Sequence, residues 1–577
     1  MEYIKLAKTY EELESNSKRL KKTYIISELL KETKDEDLKA VTMLLRGKLF
    51  SDYDDSEIGI STKLLVKGLS VSMGYSEKEV IAKYREIGDL GEVAKIYSSK
   101  KTQNTLFQEK LSVNFVFETL RKLTKIEGIG SVDLKLKTIS NLLTSSSPIE
   151  AKYIIRSILG ELRVGVAQGT LRDAIAWAYL TNPNYNDEDM SIDPNRKEYN
   201  EIIDKLQGAL DKLNDFVKLA KLAKNKEDLT KVEMIPGNPL KVMLAQKVSS
   251  AKEAFETVGK PLAIEYKYDG FRTQVHKKGE EIRIFTRRLE EVTERFPEVV
   301  KAVKENVKGD VILDGEAVGY DKSTGKYTTF QHISQRIKRK YDIEELAKKL
   351  PVELNVFDLL YFEGDYLNES FKKRREKLEE IITQKPKEII LSNLKITSLE
   401  EEVDEFLAKA LNEGKEGLMI KNLKGIYKPG SRVGYMLKYK KSLDPLDLVV
   451  VKAEWGQGKR SGWLTSFTLA CQDFEGELLE IGKVGTGLKE KTELGVSFEE
   501  LTNKLKEHII SEHGREVTVK PIVVLSLLFE EIQKSPSYSS GYALRFPRVV
   551  ALRDEKPIEE IATLEDVEIE YKKQLRL

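Results

Sequence analysis

A chain of 577 residues is too long for one hydrophobic core, and at about 150 residues per domain it divides into three or four. Forty per cent hydrophobic residues is enough for large cores, yet no apolar run approaches the ~18 residues that cross a bilayer, and MEYIKLAKTYEELESNSKRL is charged from Glu2 onward, unlike a secretory leader; a soluble intracellular protein without a membrane partner is expected. One cysteine, Cys471, excludes an internal disulfide framework, four histidines disfavour a Cys/His zinc site, and a net charge of +1 neither signals nor excludes a polyanion partner.

Charged residues make up 33% of the chain, which together with scarce cysteine fits a heat-adapted protein. Residues 1 to about 230 read as almost wholly helical. In AKYIIRSILGEL, Ile154, Ile155, Ile158, Leu159 and Leu162 recur at helical spacing, and GTLRDAIAWAYL and EIIDKLQGALDKLNDFVKLAKLAK continue that character. EGIGS at 127–131 and SSSP at 145–148 interrupt it. In MIPGNPLK, residues 234–241, Pro236, Gly237 and Pro239 break any helix. From there to about 443 strands dominate: LAIEYKYDG, EIRIFTR, VILDGEAVGY, VELNVFDLLYF and GLMIKN are β-branched or aromatic, often with period-two alternation. A lysine-glycine turn after His276 predicts a hairpin. Helices such as ESFKKRREKLEEIIT are interspersed. From 444, LDLVVVKAEWGQG, TSFTLACQDF, ELLEIGKVGTG, EVTVKPIVVLSLLFEEIQ and ALRFPRVVALR form about five strand-like segments with Gly-rich turns, as in a small OB-type barrel. TLEDVEIEYKKQLRL predicts a terminal helix. The expected division is multidomain: an all-α region 1–233, an α+β region 234–443 with antiparallel sheets, and a β-barrel 444–577 with a helical tail, with linkers near 234 and 443.

The most informative stretch is Glu265-Tyr266-Lys267-Tyr268-Asp269-Gly270-Phe271-Arg272. If it ends a strand, Glu265, Lys267 and Asp269 point to one side, a carboxylate on either side of an amine with a glycine-permitted turn after it. An amine attacks phosphorus only when unprotonated, so a nucleophilic Lys267 must have its pKa depressed by burial or nearby cations. K-x-D-G by itself is better read as a mixed-charge surface strand, since three fixed positions recur by chance.

KYDGFR resembles the nucleotide-binding lysine motif of the covalent nucleotidyltransferases, and EYKYDGFR is most similar to that of the ATP-dependent DNA ligases of archaea and eukaryotes. The resemblance implies that Lys267 forms a phosphoramidate with AMP, that Glu265 contacts adenine and that Arg272 lies near the ribose and phosphates. Further segments resemble the family's other motifs in order. IFTRRLEEVTERFP places Arg287 at a ribose-contacting position. VILDGEAVGY places Glu316, beside Asp314, at a ribose-hydroxyl or metal contact, and VFDLLYF places Phe357 against the adenine ring. KEGLMIKN makes Glu416 a metal-binding carboxylate and Lys421 a phosphate contact. In KPGSRVGYMLKYKK, Arg432 matches an ATP-contacting arginine. Lys438 and Lys440, alternating with Leu437 and Tyr439, leave one strand face and suit the α-phosphate. ALRFPRVVALRDEK matches R-F-P and the later R-x-D-K pattern through Arg545, Phe546, Pro547, Arg553 and Lys556, with Glu555 where the family has aspartate; Arg553 and Lys556 would orient departing pyrophosphate. Each segment alone has an ordinary structural reading, a core phenylalanine or a charged edge strand among them.

The resemblance spans essentially the whole chain. It implies sealing of nicks in duplex DNA, in replication, repair and recombination, through lysyl-adenylate and DNA-adenylate intermediates, with ATP and Mg²⁺ or Mn²⁺ and a monomeric enzyme. RSILGELRVGVAQGTLRDAIAWAY, residues 156–179, is the closest match to the family's DNA-binding domain, which mRNA capping enzymes, the rival users of the same lysine chemistry, lack. EGIGS could offer backbone amides to a phosphate, and QRIKRK (335–340) and FKKRREK (371–377) are basic stretches that could line a duplex or be solvated helix faces. Gln103, Leu106 and Phe107 in KKTQNTLFQEK resemble a shortened sliding-clamp-binding peptide; an ordinary interhelical loop fits equally.

Overall fold

In a computed structural model the chain is described except at residues 55, 57, 101–109, 182, 187–190, 194–195, 329, 339–341, 441–444, 491–495 and 577. Gln103, Leu106 and Phe107 therefore lie outside the described residues. The chain divides into two units, one of residues 1–81, 90–407 and 415–439, the other of 82–89, 408–414 and 440–577. Among the described residues no helix is long and apolar enough to cross a membrane.

Helices fill the first unit up to Lys224. SSSP becomes a start signal: Ser147 caps the helix Pro148–Ile158, Pro148 opens it, and Glu150 returns a 2.8 Å bond to the Ser147 amide. The run that reads as one long amphipathic stretch is two helices, Arg196–Leu213 and Phe216–Lys224. Asn214 takes a left-handed φ of 46° and the Asp215 side chain accepts from Val217 N and Lys218 N, restarting the helix. A short strand pair, Asn184–Asn186 with Ser191–Asp193, interrupts a region expected to be helical throughout.

Tyr3, Tyr10, Tyr153, Phe117 and Trp177 anchor the helical core. Within it, Lys152 and Arg156 are 3% exposed and share Glu14, at 2.9 and 2.8 Å. Burial raises the Glu14 pKa, but the bonds from Arg156 and Lys152 outweigh it and bring it from 4.5 to about 2. A carboxylate whose folded pKa is depressed adds stability above its unfolded value and loses it as pH falls through the folded one. The melting temperature is therefore expected to drop between pH 4.5 and about 2, and less steeply in Glu14→Gln, when both are followed by circular dichroism.

Two five-stranded sheets follow. The first runs Leu394–Thr397, Leu262–Lys267, Gly417–Asn422, Arg432–Tyr439, Leu244–Val248; the second runs Glu281–Thr286, Phe271–Lys278, Val311–Gly319, Val352–Phe362, Ile389–Leu391. The hairpin after His276 forms, with Lys278 opposite Glu281 and Gly279 at φ 56°. One face of the second sheet packs Phe271, Val275, Leu313 and Val356 against Val299 and Val303 of the helix Pro297–Asn306. Ile312 and Leu360 of the second sheet cluster with Met436 of the first, Met243 and Tyr427. Strands covered on both faces lose the simple alternation that the sequence would otherwise show.

The MIPGNPLK segment is no loose linker. Gly237 N donates to His276 Nδ1 at 2.8 Å, and Leu240 N to Gln274 Oε1 at 2.8 Å, with Gln274 returning a bond to Leu240 O. Gln274 and His276 are each 1% exposed, so this stitching is buried and its loss would orphan several polar groups. These bonds tie residues 237–240 to the second sheet; the linker expected near 443 falls on residues 441–444, outside the described ones.

In the second unit the strand Leu446–Trp455 pairs through its first half with Val524–Leu528 and through its second half with Glu516–Val519. Leu464–Gln472 and Leu478–Val484 extend the sheet on the other side. EVTVKPIVVLSLLFEEIQ is thus three strands, broken at Pro521 and again after Leu528. The helix Leu564–Arg576 closes the chain, as the charged tail predicts.

Candidate active site

The strand Leu262–Lys267 ends at the amine, and its neighbours define a face. Met419 pairs with Glu265 on one side and with Lys438 on the other, so these three side chains form a row across three strands. Lys267 pairs with Gly417, and its carbonyl accepts from Glu416 N at 2.9 Å. The turn Tyr268–Gly270 then enters the second sheet. A Cβ at 270 would lie 2.4 Å from Ala317 O and 2.9 Å from Glu316 Cγ, so glycine is what lets the turn approach the Glu316 strand. Asp269 lies beyond the strand end, in that turn, and accepts from Phe330 N at 3.2 Å.

The Lys267 amine meets Glu416 at 2.5 Å. Burial lowers its pKa, but Glu416, Glu316 and Asp269 more than offset that and hold it above 10.5. Carboxylates, rather than cations, dominate the surroundings of the amine in the free protein. Glu316 is the counterpart. Burial pushes its pKa up to about 8; Lys267 and Arg272 pull it down, Glu416 and Asp314 push it further up.

Arg272 pairs in register with Glu316 and donates to Asp314 through two bonds of 3.0 and 2.6 Å and to Met243 O at 2.8 Å. Its guanidinium stands 5.4 Å from the Phe357 ring. Phe357 reaches this position by a bulge: Asp314 faces Asp358 and Gly315 faces Val356, leaving Phe357 unpaired on its strand. A second irregularity between Ile312 and Leu313 does the same for Leu360. Neither bulge is visible in VFDLLYF, where simple alternation leaves the ring's direction open.

Glu265 is 1% exposed, with Oε2 2.7 Å from the Lys421 ammonium and Oε1 3.6 Å from Arg375. Burial pushes its pKa above the usual carboxylate range against the pull of Lys421 and Arg375. Oε1 accepts no hydrogen bond. A buried orphan acceptor in this row suits an N–H from a bound base. Lys421 is not a phosphate contact as expected: its ammonium is buried and divided between Glu265 and the Phe357 carbonyl, 2.8 Å away. FKKRREK does not line a duplex through its arginines either. Arg374 is 1% exposed and holds Asp358 at 2.6 Å, and Arg375 points at Glu265. Likewise Arg336 of QRIKRK is 2% exposed, bonded to Glu298 and Leu350 O. Solvated helix faces and inward arginines give the same sequence; only packing separates them.

The remaining candidates sit elsewhere. Arg287 is exposed and lines a separate pocket with Arg46, Lys48, Lys241 and Arg288. Arg432 is exposed at the start of its strand, opposite Leu244. Lys438 is in the row with Glu265 and Met419, but the strand stops at Tyr439, so Lys440 does not share its face; it belongs to the second unit and lies 3.8 Å from Glu530. In that unit Arg553 and Lys556 both bond Asp447, at 3.0 and 2.8 Å, and Glu555 bonds Arg553 at 2.6 Å. Asp447, Arg374, Arg375 and Asp358 were missed by sequence reasoning because a lone acid or arginine carries no periodic signal. Met419 was within reach, since it alternates with the apolar residues of GLMIKN.

Three family models match the chain: "DNA ligase N terminus" over 2–176, "ATP dependent DNA ligase domain" over 242–440 and "ATP dependent DNA ligase C terminal region" over 460–556. A DNA ligase of Nanoarchaeum equitans is 45% identical over all of this chain and 99% of its own. One of Thermococcus onnurineus is 41% identical over 100% and 99%, and one of Archaeoglobus fulgidus 38% over 100% of both. The solved structure titled Pmar-Lig_PreS3 shares the fold at a TM-score of 0.59, with 18% identity, 95% of this chain and 99% of that one covered.

Proposed function

Because the chain belongs to the ATP-dependent DNA ligase family, an enzyme class that seals nicks in duplex DNA at the expense of ATP, we propose that Lys267 is the residue that carries AMP. The observation that carries the assignment is the row of Glu265, Met419 and Lys438 beside Lys267, with Glu316 and Glu416 turned on its amine.

Lys267 attacks the α-phosphorus of ATP, the N–P bond forms and the bond to pyrophosphate breaks. The amine must first shed its proton; Glu416, 2.5 Å away, stabilises the ammonium in the free protein, and neutralising that carboxylate would release the proton to solvent. AMP then passes to the 5′-phosphate at the nick, and the 3′-hydroxyl attacks that phosphate and expels AMP. Each step is an in-line displacement, so positioning and charge stabilisation dominate. Phe357 stacks on the base, Glu265 meets its edge, Arg272 lies near the ribose and phosphates, and Lys438 takes the α-phosphate. Arg287, Arg432, Lys440, Arg553 and Lys556 are assigned to nucleotide contacts by the family resemblance alone.

Glu316 and Glu416 fit a divalent cation. Their crowding is part of what lifts Glu316 to about 8, and two carboxylates with phosphate oxygens are a usual Mg²⁺ donor set. Mg²⁺ or Mn²⁺ bound there would neutralise phosphate charge. Domains of 1–233, 234–443 and 444–577 are proposed as the DNA-binding, adenylation and barrel parts of a monomer. Gln103, Leu106 and Phe107 are proposed as a sliding-clamp contact on the sequence resemblance.

A ligase must act on any sequence, so its contacts fall mainly on sugar and phosphate. Affinity for nicked duplex is expected to fall on the order of a hundredfold or more between about 50 and 200 mM salt. Fluorescence anisotropy on a labelled nick checks this, and a flat salt profile would contradict it. Labelling with α-³²P ATP followed by denaturing electrophoresis tests the adenylation itself.

A further inference from the structure

Five charged side chains, four of them buried and Arg375 partly so, form a chain through Glu265 that the bond-making steps do not use. Arg374 grips Asp358 at 2.6 and 3.2 Å. Asp358 lies 3.8 Å from the Lys421 ammonium. Lys421 donates to Glu265 Oε2 at 2.7 Å and to the Phe357 carbonyl at 2.8 Å. Arg375 stands 3.6 Å from Glu265 Oε1 while bonding Ser392 O at 3.0 Å and Glu379 at 2.9 Å. Buried ion pairs stabilise a fold no better than packed apolar residues do, so such a chain points to a role other than stability.

Its placement names that role. One ammonium ties the strand that carries the stacking ring to the carboxylate at the base edge. Glu265 Oε2 is committed to Lys421, and its other oxygen, Oε1, accepts no hydrogen bond. An oxygen fixed in this way accepts an N–H and repels a carbonyl. We propose that Lys421 and Arg375 set the choice of nucleobase: they hold Glu265 so that Oε1 accepts from a 6-amino purine and rejects a 6-oxo purine. The proposal rests on the reading of Glu265 as the base contact.

Adenylation kinetics with α-labelled ATP and ITP on the full chain test it. Wild type is expected to prefer ATP by about a hundredfold or more. Arg375→Gln and Lys421→Met are expected to lower kcat/KM for ATP about tenfold or more, mainly through KM, and to change ITP by less than about threefold, so that the ATP:ITP ratio shrinks. A purely structural role would lower both nucleotides together, and an unchanged ratio overturns the proposal. Lys421→Met removes a buried cation; if circular dichroism finds it unfolded, the Arg375→Gln ratio decides alone. Glu265→Gln separates the two levels. A wild-type ratio in that variant removes the base-contact reading itself, whereas a collapsed ratio there, with intact ratios in the other two, removes only the role given to Lys421 and Arg375.

Discussion

Lys267→Ala is expected to abolish the AMP adduct, lowering self-adenylation by on the order of a thousandfold or more, because the variant lacks the amine proposed to form the N–P bond. The side chain ends a strand and its loss leaves the Tyr266 and Tyr268 packing in place, but Glu416 and Glu316 lose their cation, so circular dichroism must first show the variant folded. Incubation with α-labelled ATP and a divalent cation, then denaturing electrophoresis and intact mass measurement, reads the outcome. Wild type should gain the mass of one AMP. Supplied with a pre-adenylated nick, Lys267→Ala should retain much of its sealing activity, since the last displacement does not use the amine as nucleophile. Undiminished label in the variant would remove the assignment of the nucleophile.

The second large effect is expected at Asp314. It is fully buried and holds the Arg272 guanidinium through both oxygens, while Tyr427 donates to it at 2.7 Å. Asp314→Ala leaves a buried arginine without its counterion, which costs about 3–5 kcal/mol. Asp314→Asn keeps the shape and one acceptor and should cost less. Urea unfolding followed by fluorescence measures both, and adenylation should fall in the same order because Arg272 loses the groups that orient it. Equal stability for wild type and Asp314→Ala would show that Arg272 is held by its other partners, the Met243 carbonyl and the Tyr427 hydroxyl.

Much of this site is legible in the sequence because its parts are local. EYKYDGFR puts an amine, two acids and a turn glycine within eight residues, and one strand end is enough to bring them together. The hairpin after His276 and the terminal helix are equally local, set by a turn residue and by apolar spacing. The failures share a cause as well. Arg336, Arg374 and Arg375 sit in basic runs indistinguishable from solvated helix faces, yet each finds a carboxylate or carbonyl from a distant segment. MIPGNPLK looks like a linker by its prolines, yet Gln274 and His276, more than thirty residues on, fasten it to the sheet.

By itself the sequence named the candidates for the chemistry, the amine proposed as nucleophile and the acids and ring around it, and it determined the order of a helical region, a two-sheet region and a strand-rich region. These follow from side-chain identity and from periodicity, which neighbours along the chain enforce. Tertiary structure alone decided what each charge faces. It turned Glu416 and Glu316 onto Lys267, so that the amine is held protonated before nucleotide binds, and it sent Lys421 to Glu265 rather than to a phosphate. Those outcomes depend on Coulomb attraction and desolvation between groups that meet only when sheets pack, and no spacing within one strand encodes them.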